Sequence, residues 1–271
     1  MSIELIAFYI ITFLLGSIFG SFACCQAWRI HEKSEDKKLG KRSVCINCGE
    51  QLKWYDNIPV ISWLMLRGKC RKCKAKIGKA EILSEIGLGL VFLAIALKYT
   101  NFSAYDVQGF AYMFATPLEY IIKPGILLLG LIPFWTLLVY DAKWGELPVT
   151  LMVLEIPFAV AFQIASKGDF FQVAISTGLL SSIYYLLYFF SKEKLVGGGD
   201  WILCISVGIF LGHWELAIIE LFLSNFLASF AGIPQILKKQ KKPIPFGPFL
   251  IISLVAILLV SDYLLKFIVI Y

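Results

Sequence analysis

The chain has 271 residues, of which 59% are hydrophobic and 16% are charged, and its formal net charge is +6. A soluble domain of this length carries more charge. Long apolar runs recur along the whole chain, and they are continuous rather than alternating, which argues against a membrane β-barrel. We therefore expect an all-α polytopic membrane protein.

The apolar runs predict about eight transmembrane helices. The first run has only Glu4 before it and a basic flank after it, so we interpret it as a retained span with the N-terminus outside the cell. Residues 101–124 are interrupted by Pro117 and are predicted to be an outside loop with an interfacial helix. The predicted spans lie near residues 5–27, 82–98, 125–140, 149–166, 170–190, 201–213, 215–233 and 247–269.

The distribution of basic residues predicts the orientation. Residues 28–80 contain fourteen of the 25 Lys and Arg but only five Asp and Glu, and four further lysines lie within 238–242. Basic residues next to membrane spans stay in the cytoplasm. No basic helix with interleaved aromatic residues occurs, so contact with anionic membrane lipid explains the basic surface better than nucleic acid does. The predicted cytoplasmic loops, which hold 21 of the 25 Lys and Arg, are 28–81, 141–148, 191–200 and 234–246.

Two CxxC pairs lie in the first cytoplasmic loop, with 21 residues between them. This spacing is typical of a four-cysteine zinc site, in which each pair forms a tight turn that directs two thiolates to one point. Four thiolates leave no open coordination position, so a structural zinc ion is expected to stabilise this small domain. The predicted ligands are Cys45, Cys48, Cys70 and Cys73, and the predicted small core consists of Trp54, Tyr55, Ile61, Trp63 and Leu64.

Two other interpretations of these cysteines remain open. Two disulfides would require an oxidising compartment, whereas the charge pattern places this loop in the cytoplasm. A redox-active CxxC pair would require a thioredoxin-like βαβ pattern, which the sequence lacks. Three further cysteines, Cys24, Cys25 and Cys204, lie in or beside apolar spans and are interpreted as buried small hydrophobic residues.

Ionisable residues at membrane depth indicate functional sites. Asp141 ends the third predicted span and Asp200 begins the sixth, so the predicted topology puts both carboxylates at the same depth on the cytoplasmic side. Two carboxylates that share one proton are the requirement of an aspartic protease. The ionised carboxylate takes a proton from water, and the protonated one polarises the scissile carbonyl group.

Three glycines, Gly197, Gly198 and Gly199, precede Asp200. They are predicted to form non-helical backbone that lines the site and lets a substrate strand approach closely. Asp200 at a helix N-terminus would be favoured in its ionised form, which would leave the shared proton on Asp141. Alternatively, Asp200 is a helix N-cap and Asp141 is a solvated loop residue.

The sequence offers three other candidate carboxylates, Glu155, Glu220 and Asp262. Glu155 and Glu220 are interpreted as packing or hydrogen-bonding groups of the helix bundle, and Glu155 is the rival candidate for a catalytic acid. Asp262 is predicted to be solvated near the outer end of the last span. The two histidines, His31 and His213, fall on opposite sides of the membrane, which argues against a histidine-based site.

Six motifs occur in a fixed order between residue 16 and about residue 250. They are GSF at 20–22, CINC…WYDNIPVISWLMLRGKCRKC at 45–73, EILSEIGLGLVF at 81–92, DAKWGELP at 141–148, GGGD at 197–200 and PFGPFL at 245–250. Together they resemble the bacterial type IV prepilin peptidase and N-methyltransferase family, which are GxGD-type membrane aspartic proteases and include enzymes that serve competence pili.

The resemblance implies a peptidase of the bacterial inner membrane that cuts the basic leader from prepilins and pseudopilins at the cytoplasmic face, after a glycine. The family's catalytic aspartates match Asp141 and Asp200, and its four cysteines match the predicted zinc ligands. The resemblance also implies N-methylation of the new N-terminus with S-adenosylmethionine. No residue of the sequence indicates a site for that cofactor, so methylation rests on the resemblance alone.

The sequence departs from the family pattern at three places. The family's LPD is Leu147-Pro148-Val149 here, the Asn that usually follows GSF is replaced at Ala23 or Cys24, and the first cysteine pair lacks the usual proline. The missing aspartate of LPD is not the catalytic one, so proteolysis is still expected.

The predicted domains are the first transmembrane helix at 1–27, a zinc-ribbon-like cytoplasmic domain at 28–81 and a membrane peptidase core at 82–271. Seven acidic residues are candidate partners for a basic leader, namely Glu32, Glu35, Asp36, Glu50, Asp56, Glu81 and Glu85. Two alternative functions remain open. One is a peptidase without methyltransferase activity, and the other is a non-enzymatic membrane scaffold whose zinc module binds a pilus-assembly component.

Overall fold

The computed structural model describes residues 3–34, 43–100, 121–193, 196–237 and 244–270. These residues are mainly helical, and the only β-type pairing among them is two isolated bridges, which confirms the predicted all-α class. The α-helices of the described ranges are α1 (Ile3–Ser34), α2 (Ile61–Met65), α3 (Lys79–Thr100), α4 (Lys123–Trp144), α5 (Val149–Ala165), α6 (Phe170–Ser191), α7 (Gly198–Leu211), α8 (Trp214–Leu237) and α9 (Gly247–Ile270).

Six of the described helices, α1, α3, α4, α6, α8 and α9, are long and apolar enough to cross a membrane. The other two apolar helices, α5 and α7, have 17 and 14 residues. At about 1.5 Å per residue they extend about 26 and about 21 Å, which is less than the roughly 30 Å of a bilayer's hydrocarbon core. The predicted count of eight spans is therefore not confirmed, although an apolar helix lies at each predicted position.

Two predicted features fall largely outside the described residues. The predicted outside loop at 101–124 is described only from residue 121, and α4 begins at Lys123. The lysine cluster within 238–242 also lies outside the described residues.

The chain divides into two compact units, Met1–Tyr105 and Asp106–Tyr271. The first contains α1 to α3, and the second contains α4 to α9. The predicted domain boundaries at residues 27 and 81 stay predictions. In the structure α3, which begins just before the second of these boundaries, packs against α1 within the first unit.

Small residues bring α1 and α3 into close contact. A Cβ atom on Gly20 would collide with the carbonyl oxygen of Ser84, and one on Gly16 would lie 2.7 Å from that of Leu88. The Ser84 hydroxyl donates a hydrogen bond of 2.8 Å to the carbonyl oxygen of Gly20. Helices in a membrane associate through such small-residue contacts. The first motif of the sequence therefore has a packing role in the first unit.

The short helix α7 is enclosed by its neighbours in the second unit. Phe210 packs edge-to-face against Phe134 of α4 with 5.6 Å between the ring centres. Ser176 of α6 donates a hydrogen bond of 2.9 Å to the carbonyl oxygen of Gly208, and Gln163 of α5 donates one of 2.9 Å to that of Phe210. These contacts hold the C-terminal half of α7 within the bundle and explain how a helix too short to span alone is accommodated there.

Candidate active site and metal-binding cluster

Asp141 lies in the last turn of α4. The helix ends at Gly145, which adopts the left-handed conformation (φ 71°) and donates its N–H to the carbonyl oxygen of Asp141 over 2.8 Å. The Asp141 side chain is only 4% exposed, and its Oδ2 accepts a hydrogen bond of 2.8 Å from the backbone N–H of Gly247 at the start of α9. The alternative interpretation of Asp141 as a solvated loop residue is therefore wrong.

Asp200 lies in the first turn of α7 and is only 6% exposed. Its Oδ2 accepts a hydrogen bond of 2.9 Å from the backbone N–H of Gly197, which is the N-cap residue of the helix. The alternative interpretation of Asp200 as the N-cap residue is therefore wrong by three positions. Its side chain still caps the helix, because it satisfies one of the free backbone donors at the N-terminus.

The three glycines before Asp200 do not form the predicted stretch of non-helical backbone. Only Gly197 is extended, with φ −73° and ψ 156°, while Gly198 and Gly199 already belong to α7. At Gly199 the reason for glycine is close packing instead. A Cβ atom on Gly199 would lie 2.7 Å from Cβ of Leu147, so this position has no room for a side chain.

Leu147 connects the surroundings of the two aspartates. Its side chain abuts Gly199, next to Asp200, and a Cβ atom built on Gly247 would lie 3.2 Å from its Cδ2. Gly247 is the residue whose N–H binds Asp141. The structure thus brings both aspartates to the same end of the second unit, where the charge of Asp200 acts on the Asp141 carboxyl group.

Both carboxyl groups are held in the same manner. Each accepts one backbone N–H through Oδ2, and no described hydrogen bond uses Oδ1 of Asp141 or Asp200. Among the described residues, neither aspartate forms an ion pair with Lys or Arg. A buried acidic pair without a cation is able to share one proton, because two like charges at close range resist joint ionisation.

The other predicted acids lie elsewhere. Glu155 is fully buried in α5, and neither of its carboxyl oxygens has a hydrogen-bond partner among the described residues. Glu220 is fully buried in α8 and contacts Ser253 of α9. Asp262 is exposed, and its predicted contact with water stays a prediction.

The four predicted ligand cysteines converge in the first unit. Their sulfur atoms all lie within 4.8 Å of one another, and Sγ of Cys45 lies 3.9 Å from Sγ of Cys73. Four sulfurs that surround a zinc ion tetrahedrally at about 2.3 Å are about 3.8 Å apart, so the cluster fits such an ion. All four are free thiols, and members of the two pairs face one another across the cluster.

The two cysteine pairs form equivalent turns. In each turn the first cysteine's carbonyl oxygen accepts an N–H from a residue in the left-handed conformation, Gly49 (φ 68°) in the first and Lys74 (φ 58°) in the second. In each turn the first cysteine donates its N–H over 2.8 Å, Cys45 to Glu50 and Cys70 to Ala75. Each turn is flanked by its own isolated antiparallel bridge. The spacing of the cysteines therefore gave the correct local geometry.

The electrostatics of the cluster favour a cation. Hydrogen bonds from the Ala75 backbone and the Asn47 side chain lower the pKa of Cys73 to about 6. The pKa of Cys45 is also lowered, chiefly by a backbone hydrogen bond from Cys48. The N–H of Glu50 lowers the pKa of Cys48, but burial and the neighbouring cysteines outweigh it and raise that pKa to about 11. Thiolates so close together repel one another, and a divalent cation removes that repulsion.

The predicted small core of this module is wrong. Trp54, Ile61 and Leu64 are 79%, 51% and 58% exposed, and only Tyr55 and Trp63 are half-buried. A segment of this length has too few apolar side chains to enclose one another. The described contacts of the module are the backbone hydrogen bonds of its turns and a few exposed side-chain contacts, such as that between Arg71 and Asp56, rather than a buried apolar core.

A buried carboxylate holds the loop between the cysteine pairs. Val60 has the left-handed φ of 62°, which is strained for a β-branched residue, and its N–H donates a hydrogen bond of 2.7 Å to Oε2 of Glu85. Glu85 is 8% exposed. Glu85 is therefore engaged within the first unit. The sequence had suggested that it is presented at the surface to a basic leader, and the structure does not place it there.

Sequence reasoning missed two residues of the candidate site, Leu147 and Gly247. The hydrogen bond from Gly247 to Asp141 joins residues 106 positions apart and uses a backbone donor, which no side-chain pattern reveals. The sequence feature that could have indicated Gly247 is the motif PFGPFL, in which it is the third residue.

Comparisons with known proteins agree with these features. The family model described as bacterial Peptidase A24 N-terminal domain matches residues 14–99, and that of the type IV leader peptidase family matches residues 126–236. The first range contains the cysteine cluster and the second contains both aspartates. No solved structure shows a significant match.

Several curated relatives carry the name prepilin leader peptidase/N-methyltransferase. The protein from Aeromonas hydrophila is 32% identical over 216 residues, which cover 78% of this chain and 69% of the relative. Those from Vibrio cholerae and Pseudomonas aeruginosa are 28% and 27% identical, cover 92% of this chain, and are themselves covered over 96% and 89% of their length. The chain therefore belongs to the type IV leader peptidase family.

Proposed function

We propose that this enzyme removes the leader peptide from type IV prepilins and pseudopilins, with Asp141 and Asp200 as its catalytic pair. The observation that carries the proposal is the pair of buried carboxyl groups at one end of the second unit, each held through Oδ2 by a backbone N–H. Aspartic peptidases use two carboxyl groups that share one proton. The names of the curated relatives supply the substrate class.

The geometry suits hydrolysis by an activated water. The ionised carboxylate accepts a proton from water, whose oxygen attacks the scissile carbonyl carbon, while the protonated carboxyl group donates to the carbonyl oxygen. Return of a proton to the amide nitrogen releases the leader and the mature protein. Because Gly197 and Gly247 hold Oδ2 of each group, both Oδ1 atoms remain for water and substrate. The pair titrates as one system.

The charge pattern supports an orientation with this end of the bundle at the cytoplasmic face of the bacterial inner membrane and the N-terminus outside. The apolar helix of a prepilin partitions into the same membrane. Because both lie at the same depth, the membrane holds the cleavage point at the level of Asp141 and Asp200. Less translational and rotational entropy is then lost when the substrate binds.

The cysteine cluster supports a structural zinc ion. Cys45, Cys48, Cys70 and Cys73 would hold the ion, and a complete set of four thiolates leaves no position for a reactive water. The ion would stabilise the small module between α1 and α3.

N-methylation of the new N-terminus with S-adenosylmethionine is a second candidate activity. The observation that favours it is the shared name of the curated relatives, prepilin leader peptidase/N-methyltransferase. No residue of the chain is assigned to it.

Intact-mass spectrometry tests both activities together. The purified full-length protein in detergent is incubated with a prepilin, with and without S-adenosylmethionine. We expect loss of the leader in both reactions and one added methyl group only with S-adenosylmethionine. Leader removal without methylation would leave a peptidase alone, and an uncut prepilin would favour the scaffold interpretation.

Substitution of the glycines before Asp200 separates steric from conformational effects. We expect Gly199→Ala to lower leader removal by about a hundredfold, because its methyl group would lie 2.7 Å from Leu147 and displace the helix start that carries Asp200. The matched control is Gly198→Ala, whose methyl group meets Tyr188 at an ordinary 3.4 Å. Both changes alter helix propensity equally. Equal activity of the two variants in a cleavage time course would contradict the steric explanation.

A further inference from the structure

Glu220 of α8 is a buried carboxyl group that the proposed mechanism does not use. It is fully buried, and its Oε1 lies 2.5 Å from Oγ of Ser253 in α9. Its Oε2 has no hydrogen-bond partner among the described residues. The side chains that act on it electrostatically include Tyr184 of α6 and Cys204 of α7, and neither is a cation.

The contacts of Ser253 indicate the protonation state of Glu220. Oγ of Ser253 lies 2.5 Å from Oε1 of Glu220 and 2.6 Å from the carbonyl oxygen of Phe249. A hydroxyl group has one proton, and a backbone carbonyl only accepts. If Ser253 donates to Phe249, the second short contact requires a proton on Glu220. A neutral acid also avoids burying a charge without a counter-ion.

The same helix α9 begins with the residue that binds Asp141. Gly247, whose N–H donates to Asp141 over 2.8 Å, precedes Ser253 by six residues, or about 9 Å along the helix. Glu220 therefore anchors to α8 the helix that supplies the hydrogen bond to Asp141.

A second contact holds the start of α9 from the side of α6. The Tyr184 ring packs on Phe246, the residue before Gly247, with 5.4 Å between ring centres. The hydroxyl of Tyr184 lies 3.1 Å from Oγ of Ser224 and accepts a hydrogen bond of 2.9 Å from Nδ2 of Asn225, and both partners belong to α8. Polar groups of α8 thus contact α9 directly through Glu220, and they act indirectly on the residue before α9 through Tyr184.

We propose that Glu220 is a positioning residue for the peptidase reaction. As a neutral carboxylic acid it donates to Ser253 and holds α9 in the position in which Gly247 binds Asp141. The proposal rests on the proposed function, since the effect on cleavage requires Asp141 to be catalytic. Its prediction about protonation stands without that function.

Two substitutions at Glu220 test the role in cleavage. Gln places an amide N–H where the acid has its O–H and still donates to Ser253, so we expect Glu220→Gln to keep kcat close to that of the wild type. Leu has a similar volume but no donor. We expect Glu220→Leu to lower kcat by about tenfold to a hundredfold while KM for the prepilin stays unchanged, because the catalytic pair shifts and the substrate surface does not.

The matched control is Glu155→Leu, the same chemical change at another fully buried acid. Both carboxyl oxygens of Glu155 lack partners among the described residues, so an apolar replacement of similar volume is tolerated. We expect Glu155→Leu to cleave normally. Thermal melting of each variant shows that it is folded.

Infrared difference spectroscopy tests the protonation of Glu220 without substrate. The wild type minus Glu220→Gln spectrum at neutral pH is expected to contain the C=O band of a protonated carboxylic acid. A carboxylate band in its place, a loss of activity in Glu220→Gln as large as in Glu220→Leu, or normal kcat in Glu220→Leu would each overturn the proposal. Absence of cleavage by the wild type, with the acid band present, would instead overturn the proposed peptidase function.

Discussion

We expect Asp141→Asn and Asp200→Asn each to lower leader removal by about a hundredfold to ten-thousandfold, the range that general acid–base groups contribute. Asparagine has nearly the same shape, and its side-chain oxygen still accepts the N–H of Gly247 or Gly197. The change removes only the ability to exchange a proton. The rate of product formation by intact mass measures the effect, and thermal melting shows that each variant is folded.

The control for this pair is Asp262→Asn, the same change at an exposed aspartate of α9. We expect it to cleave at the wild-type rate. Normal cleavage by either Asp141→Asn or Asp200→Asn would contradict the catalytic pair.

The double variant provides a stricter test of the pair. Residues that act as one catalytic unit have strongly non-additive effects, because removal of the first already abolishes the shared function. We expect the variant with both Asp141→Asn and Asp200→Asn to be no slower than the slower single variant. Multiplied effects in the double variant would indicate that the two carboxyl groups act independently.

The sequence predicted the positions of helices well where a long apolar run defined them. The predicted span at 149–166 and the helix α5 (Val149–Ala165) agree to within one residue, because Pro148 restricts the start and the run ends in Ser-Lys-Gly. The number of spans was harder to predict. Apolar composition alone does not distinguish a helix that crosses the membrane from a 14-residue helix, such as α7, that other helices enclose.

Local chemistry was predictable and non-local contacts were not. The CxxC spacing was sufficient to predict the cysteine cluster, since each turn is formed by neighbouring residues. The role of Gly199 was misjudged, because glycine permits both unusual backbone angles and close packing, and only the position of Leu147 shows that packing is the reason here. The bond from Gly247 to Asp141 depends on how α4 and α9 pack.

Substitution of a cluster cysteine has the second large expected effect. We expect Cys70→Ser to abolish zinc binding, because serine replaces a thiolate ligand with a hydroxyl that stays protonated at neutral pH. Without the ion, the remaining thiolates repel one another and the module has few buried apolar contacts to compensate. The metal content of the purified protein, measured by mass spectrometry, should fall from one zinc per chain to none.

Local unfolding should accompany loss of the metal. We expect hydrogen exchange over residues 43–78 to rise by about a thousandfold or more in Cys70→Ser, since the binding energy of a structural zinc ion is also folding energy. Cys25→Ser is the matched control, because Cys25 is a half-buried thiol of α1 outside the cluster. It should retain the zinc and the protection of the module.

Thiol labelling separates the metal from the disulfide interpretation. If zinc holds the four thiolates, N-ethylmaleimide should modify them only after a strong chelator is added, and no reductant should be needed. If the pairs are disulfides, the chelator should have no effect and a reductant should be required. The predicted result follows from the geometry of the site: members of the two pairs face each other, with Cys45 and Cys73 at 3.9 Å, a distance that suits two ligands of one ion and is about twice the length of a disulfide bond.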